Sequence, residues 1–404
     1  MVVRVYLKQA WNLMKQNPLF STLYIVGTGI SIVMTMVIAI VYYVRLAPVY
    51  PETNRMRTLV VKSAKMTNDE STHSSNISYA MLKDWFYSLE SAEVSTGVSG
   101  TSYARVTNDK EEIPTYARYT DENFFRVFPL VFLEGKPFTE ADRRSGIHNV
   151  VLTDSYAQQL FGTTKGVVGK NFLMDYTNVK VVGVVKSGSF LTPDSYAQVY
   201  LPYSCRDGYD DEGSHWALGG YRVYILMKES KSVTDVQDEV LELVRKFNVS
   251  DMGDGWKLDL VGQPELYWHS TFRLWSNVAV DWGRVIWMFV GIFMVLLFVP
   301  AFNLSGMISA RMERQLPDLG IRKAFGASRR RLLVQIIWEN LLLTGLGTLL
   351  GLVIAWIVLA LSGYEIFSLF EVFPKFPPKG VNLGMGIDMF FAPLIFVAAF
   401  CTPG

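Results

Sequence analysis

Half of the 404 residues are hydrophobic and the mean hydropathy is positive, yet 19% are charged, a mixture that predicts apolar membrane spans joined to a water-soluble domain. A net charge of +1 provides no global field for nucleic acid or an anionic surface, which excludes binding by bulk charge and leaves only local basic patches. The two cysteines, Cys205 and Cys401, lie in stretches of very different hydropathy, so the fold is expected not to depend on a disulfide.

Residues 1–19 hold Arg4, Lys8 and Lys15 and no acid, with Val3, Leu7, Ala10, Trp11 and Met14 on one helical face. The pattern predicts a cytoplasmic amphipathic arm lying in the headgroup plane, with Arg4, Lys8, Trp11 and Lys15 as interface anchors, before Pro18 turns the chain inward. Residues 20–44 are uncharged, longer than the roughly 7–15 residues of a signal-peptide core and sufficient for the ~20 of a spanning helix. Tyr42 and Tyr43 close this first transmembrane helix as aromatic anchors.

Residues 45–284 mix both periodicities, as an α+β domain does. Val233, Val236, Val240, Leu243, Val244 and Phe247 recur at helical spacing behind Ser232, a good N-cap. Residues 221–227 and 179–185 have strand composition, and Thr177 with Asn178 is expected to form the reversal after a strand at 172–176. A polar, glycine-rich stretch at 202–220 is expected to separate two subdomains. The pentapeptide DSYAQ occurs at 154–158 and at 194–198; the first predicts a short helix ended by Gly162, the second the approach to a strand at 199–202, so the two do not make a repeat.

This domain has no catalytic or metal-binding constellation in its spacing. His73, His148, His215 and His269 have no i, i+4 partner, Asp251, Asp254 and Asp259 lack the glutamate of a calcium loop at Gly262, and Ser99 lacks the glycines of a nucleophile elbow. No GxxxxGK[ST] phosphate loop occurs, so the chain is expected not to be an enzyme and not to bind ATP in the P-loop manner.

Residues 285–308 and 332–363 read as the second and third spans, with Glu339 the one charge in the latter and Gly347 and Gly351 a GxxxG pair suited to close packing. Residues 386–404 read as a fourth span, expected to be incomplete, because its uncharged part from Met389 covers roughly 24 Å of a ~30 Å hydrocarbon core. Between spans two and three, residues 309–331 carry Arg311, Arg314, Arg322, Lys323, Arg329, Arg330 and Arg331 against Glu313 and Asp318. Positive charge marks that segment as cytoplasmic, so residues 45–284 and the loop 364–385 face outward. Asp318–Phe325 is expected to form a short helix ended by Gly326, with Ser328 capping the next helix. Arg329, Arg330 and Arg331 then oppose the dipole of that helix, which calls for anionic lipid or a protein partner on that side.

The R-x-E-R pattern at Arg311, Glu313 and Arg314, the string GIRKAFGAS at 320–328 and Glu339-Asn340 resemble the connection between spans two and three of MacB/FtsX-type ABC transporter permeases. Residues 119–139, 150–169 and 179–185 resemble the MacB-type periplasmic core domain. The resemblance implies an α-helical membrane protein with four transmembrane helices and a large α+β periplasmic domain inserted between helices 1 and 2, in the bacterial inner membrane. It further implies a homodimer or heterodimer working with a cytoplasmic ABC ATPase subunit that binds the ATP, the chain itself holding no cofactor. Arg311, Glu313, Asp318, Gly320, Arg322, Lys323, Phe325, Gly326 and Ser328 map onto the ATPase-coupling element. Motion would pass mechanically to the periplasmic domain for efflux of small molecules, peptides or lipoproteins, with a periplasmic adaptor, an outer-membrane channel and the lipid bilayer as further partners and no nucleic acid. An FtsX-like signalling role toward periplasmic enzymes is the alternative. Two departures from the family pattern are Pro317-Asp318 in place of Ser-Glu and an end at Cys401–Gly404 where relatives carry a basic tail.

Overall fold

A computed structural model describes residues 11, 15, 18–100, 102–108, 111–189, 192–210, 216–250, 255–296, 298, 305, 320, 321, 324, 325 and 328–368. The chain divides into two compact units, one holding the apolar helices and one holding the described part of Val44–Asp281. Trp11 and Lys15 are helical and exposed, with the Lys15 ammonium 5.9 Å from the Trp11 ring centre, whereas Arg4 and Lys8 lie outside the described residues.

Helix α1 (Pro18–Leu46) opens on proline, whose missing N–H costs no hydrogen bond in a first turn. In the outer unit the chain then forms β1 (Thr58–Val61), β2 (Ala64–Thr67), β3 (Thr72–Ile77), the short helix α2 (Tyr79–Asp84) and β4 (Ala92–Ser99). At Gly100 it leaves for a second sheet. There it makes β5 (Ser102–Asn108), β6 (Glu111–Thr120), α3 (Phe124–Val127), β7 (Phe132–Gly135), α4 (Glu140–Arg144), β8 (Asn149–Thr153), α5 (Asp154–Phe161), β9 (Asn171–Met174), β10 (Thr177–Val185) and β11 (Val199–Pro202). It returns through residues 203–217 to add β12 (Leu218–Gly219), β13 (Tyr221–Met227), α6 (Val233–Val249), β14 (Lys257–Asp259) and β15 (Glu265–Leu266) to the first sheet. The polar stretch at 202–220 is thus one crossing between subdomains, and Gly100 is the other. The second subdomain is an insertion in the first.

Strand β13 is central to the first sheet: it pairs antiparallel with β1, Thr58 opposite Leu226 to Val61 opposite Val223, and with β4, Tyr221 opposite Ser99. Helix α6 covers this sheet. Ser232 caps it by accepting the Asp235 N–H while the Asp235 carboxylate accepts the Ser232 N–H, a capping box, and Val236, Val240, Val244 and Phe247 are buried on one face. In the second sheet β9 pairs with both β5 and β10, so the ladder β10-β8-β11-β6-β5-β9 returns on itself. Its interior holds Val106, Val150, Leu152, Val181, Val199 and Leu201, closed by Tyr156 and Leu160 of α5.

A third apolar cluster lies between the sheets, where Phe124, Phe125, Phe128 and Phe138 pack against Val94, Val98 and Tyr224 of the first sheet and Tyr200 of the second. The reversal before β10 is at Asp175 and Tyr176, not at Thr177 and Asn178. Both turn residues have positive φ, 46° and 65°, and Met174 pairs with Thr177, a two-residue hairpin loop that frees Thr177 and Asn178 to extend the strand. Asp175 is fixed there because its carboxylate accepts the Arg105 N–H at 2.8 Å.

In the helical unit, α7 (Trp282–Leu296) begins ahead of Val285. Helix α8 (Arg329–Ser368) has 40 residues, a length of about 60 Å. Among the described residues, Ser21–Leu46 and Ile336–Leu361 are long and apolar enough to cross a bilayer. Residues 386–404 lie outside the described residues.

Candidate functional site

The segment preceding α8 is described at Gly320, Ile321, Ala324, Phe325 and Ser328. Gly320 and Ile321 are helical, and the Phe325 N–H donates to the Ile321 carbonyl at 3.0 Å, closing one helical turn. That turn presents apolar side chains outward, with Ile321 56% and Phe325 88% exposed. Ser328 stands immediately before α8, in the position from which a hydroxyl accepts a first-turn N–H. Arg330 is exposed at the start of the helix. Arg311, Glu313, Asp318, Arg322, Lys323 and Gly326, with the side chains of Arg329 and Arg331, lie outside the described residues.

About three and four turns into the apolar part of α8, Gly347 and Gly351 meet α1. A Cβ on Gly347 would lie 2.9 Å from the Ile25 carbonyl oxygen and one on Gly351 would lie 2.6 Å from that of Gly29, distances that only glycine allows. The Tyr24 and Thr344 hydroxyls are 3.0 Å apart in the same seam. Ser31 and Thr35 turn their hydroxyls back to carbonyls of their own helix, at Gly27 and Ser31, which hides these polar groups from an apolar surround. Farther along α1, the Tyr42 ring packs 4.9 Å from Phe289 of α7, and its hydroxyl reaches Met288 Sδ at 3.9 Å.

In the outer unit, buried charge is concentrated on the loop 192–198 and its neighbours. Arg55 donates from Nη1 to the Val44 carbonyl at 2.6 Å and to that of Ala47 at 3.1 Å, satisfying carbonyls that the end of a helix leaves unpaired. Its Nε and Nη2 donate to Glu52 at 2.9 and 2.5 Å, and the other Glu52 oxygen accepts the Ser195 hydroxyl at 2.7 Å. Next in the loop, Asp194 accepts from Arg222 of β13 at 2.9 Å and faces Lys62 at 3.9 Å. Burial opposes its ionisation, yet the charges of Lys62, Arg222 and Arg118 hold the Asp194 carboxyl well below the usual carboxylate range. Gln198 closes the loop onto β6, its side-chain oxygen accepting the Tyr116 N–H at 2.9 Å. The second DSYAQ therefore ties both sheets together, while the first forms the opening turns of α5 and holds Ser187 through Asp154.

A second buried carboxylate, Asp121 at the end of β6, accepts from Thr96 at 2.7 Å, Gly97 N–H at 2.9 Å, Phe124 N–H at 3.2 Å and the Tyr87 hydroxyl at 2.5 Å. Burial pushes its pKa up to about 6 against the pull of these donors. Cys205 is also held back chemically: burial pushes its thiol up to about 12, which makes it a slow nucleophile. The Ser99 hydroxyl donates to the Gly100 carbonyl at 3.3 Å.

Residues 20–243 match the MacB-like periplasmic core domain, and residues 277–402 match the FtsX-like permease C-terminal domain. The chain belongs to the MacB/FtsX-type ABC transporter permeases.

Among relatives, the macrolide export ATP-binding/permease proteins MacB of Escherichia coli O157:H7 and of Shigella flexneri are each 22% identical over 268 residues, 65% of this chain and 39% of theirs. This permease thus spans well under half the length of those relatives, covering their permease part. Solved structures similar to it include the periplasmic region of MacB from Actinobacillus actinomycetemcomitans, at 16% identity and a TM-score of 0.35, covering 49% of this chain and 88% of that one. The extracellular domain of the noncanonic ABC-type transporter YknZ is likewise 16% identical, with a TM-score of 0.34, over 49% of this chain and 99% of that one. Proteins of this permease family are inner-membrane proteins with periplasmic domains, and an ABC permease works with an ATPase.

Of the residues that the sequence singles out near Gly320–Ser328, Gly320 and Phe325 lie in or beside one helical turn and Ser328 lies at a helix start. Glu52, Arg55, Asp121 and Asp194 are absent from that selection. Each is a single acid or base in an unremarkable stretch, and only the folded chain places their partners beside them. The spacing of Glu52 and Arg55, three residues apart, is the one local trace of the network.

Proposed function

We propose that this chain is a four-span permease subunit that receives motion from a separate cytoplasmic ATPase subunit and passes it to an outward-facing periplasmic domain, driving export of small molecules, peptides or lipoproteins. The observation that carries this reading is the exposed apolar turn at Ile321 and Phe325, set between the basic connection and the start of α8. A water-exposed phenylalanine beside a run of arginines suits a docking contact in which a partner buries the ring and supplies acidic groups. In this reading a partner ATPase holds the ATP, residues 1–404 themselves carrying no phosphate loop. A matched region that runs from the core domain to residue 402 supports two further spans after α1 and α7, and a dimeric assembly follows from the same reading. Arg311, Glu313, Asp318, Gly320, Arg322, Lys323, Gly326 and Ser328 form the rest of the coupling element in this proposal.

Copurification with the cognate ATPase tests it. Phe325→Glu and the pair Arg322→Glu/Lys323→Glu are expected to abolish complex formation and stimulation of ATP hydrolysis while the permease still inserts. Unchanged complex formation in both variants would sink the reading.

A further inference from the structure

Directly before α7, the loop Leu274–Val278 exposes Leu274 and Trp275, each 67% accessible, together with Val278. Exposed apolar groups in a mobile loop would mean little, but this loop is braced on both sides. The Arg273 side chain, 2% exposed, donates to Glu265 of β15 at 2.6 Å, to the Val261 carbonyl at 3.0 Å and across the loop to the Val278 carbonyl at 2.6 Å. Asn277 donates to the Ser74 hydroxyl of β3 at 3.1 Å, and the Val278 N–H closes a turn on the Trp275 carbonyl at 3.1 Å. A buried ion pair therefore holds a large aromatic and a leucine outward, at the cost of their contact with water.

The sequence next to the loop names what covers it. Seven residues on from Trp275, Trp282 begins the apolar helix α7, whose Ile286 and Trp287 are also exposed. Tryptophan partitions to the boundary between headgroups and acyl chains, with leucine beside it reaching into the apolar side. We propose that Leu274–Val278 is a rigid lipid anchor, its Trp275 and Leu274 side chains inserted at the outer headgroup boundary of the bilayer. The anchor rests on the reading that α7 crosses the membrane.

The test uses the full chain in phosphatidylcholine nanodiscs, with Cys205 and Cys401 replaced by serine and one environment-sensitive fluorophore attached through Trp275→Cys. Reference labels go on Tyr176→Cys at the hairpin tip of the second sheet, and on Phe293→Cys and Leu349→Cys in the helices. Lipid carrying a shallow spin-label quencher is expected to quench position 275 about threefold more than position 176. Leu274→Glu should return position 275 to the level of position 176, because a carboxylate resists entering the boundary. Quenching at 275 no greater than at 176 overturns the anchor. Protection of 275 from both the lipid quencher and aqueous iodide also overturns it, since protein then covers the loop. If positions 293 and 349 escape quenching by a second lipid labelled deep in its acyl chain as well, the spanning reading fails and takes the anchor with it. Strong quenching at 293 and 349 with none at 275 removes the anchor alone.

Discussion

Arg55 and Glu52 form an ion pair at 2.5 Å with both side chains buried, and the arginine uses its remaining donors on the carbonyls of Val44 and Ala47. Two charges out of water are tolerated here because each nitrogen of the guanidinium has a partner and the carboxylate also takes the Ser195 hydroxyl. Removing one member leaves the other uncompensated. Glu52→Gln is expected to lower the stability of the outer domain by about 3 kcal/mol, read as a lower thermal midpoint of its unfolding transition in detergent. Replacing both residues with methionine should cost much less than Glu52→Gln, which a double-mutant comparison checks.

Gly351→Leu should open the seam between α1 and α8, because its first side-chain carbon already falls 2.6 Å from the Gly29 oxygen. With Tyr24→Cys and Thr344→Cys as reporters, a short bifunctional thiol reagent is expected to join the helices in the parent. In the Gly351→Leu background the yield drops about tenfold, the consequence of losing roughly 1–2 kcal/mol of association.

Asp121 and Asp194 give stability opposite pH dependences. The Asp121 carboxyl is raised from 3.8 to about 6, so the native state holds its proton over that interval and the unfolded chain does not; the contribution of this group falls as pH rises from about 4 to about 6. Asp194 is depressed, so its contribution is present above the ordinary carboxylate pKa and disappears as pH falls below it. The stability advantage of the parent over Asp121→Asn should therefore shrink by about 2 kcal/mol between pH 4 and pH 7. For Asp194→Asn the advantage should be constant over that range and shrink only in stronger acid. Denaturant titrations at fixed pH measure both.

Tyr176 sits at φ 65° with its ring 81% exposed, so it contributes backbone strain and almost no packing. Tyr176→Gly creates an Asp-Gly turn of the favoured two-residue type and is expected to stabilise the domain by about 1 kcal/mol, seen as a raised thermal midpoint.

Much of the local structure is legible along the chain. Ser232 and Asp235 announce α6 because a capping box needs residues three apart, and Gly162 ends α5 because a left-handed cap favours glycine. The turn at Asp175 and Tyr176 has no local signature, because tyrosine is a poor signal for positive φ; the bond from Arg105, seventy residues away in sequence, holds the turn there. The GxxxG pair was visible as a motif, but its partner, Gly29 on α1, has no flanking signal of its own.

Two apolar helices long enough to cross a bilayer, the mixed outer domain and the family are legible along the chain, because hydropathy length, side-chain periodicity and caps are set by residues within a few positions of each other. Only the pairing of distant strands puts the second subdomain inside the first, and only the folded chain shows the second DSYAQ tying two sheets together. The same folding gathers Glu52, Arg55 and Asp194 around the loop 192–198 and encloses Asp121 among donors of its own. Those outcomes depend on pairings between residues tens to hundreds of positions apart, such as Ser195 with Glu52, and distance along a chain carries no record of which neighbours burial will bring together.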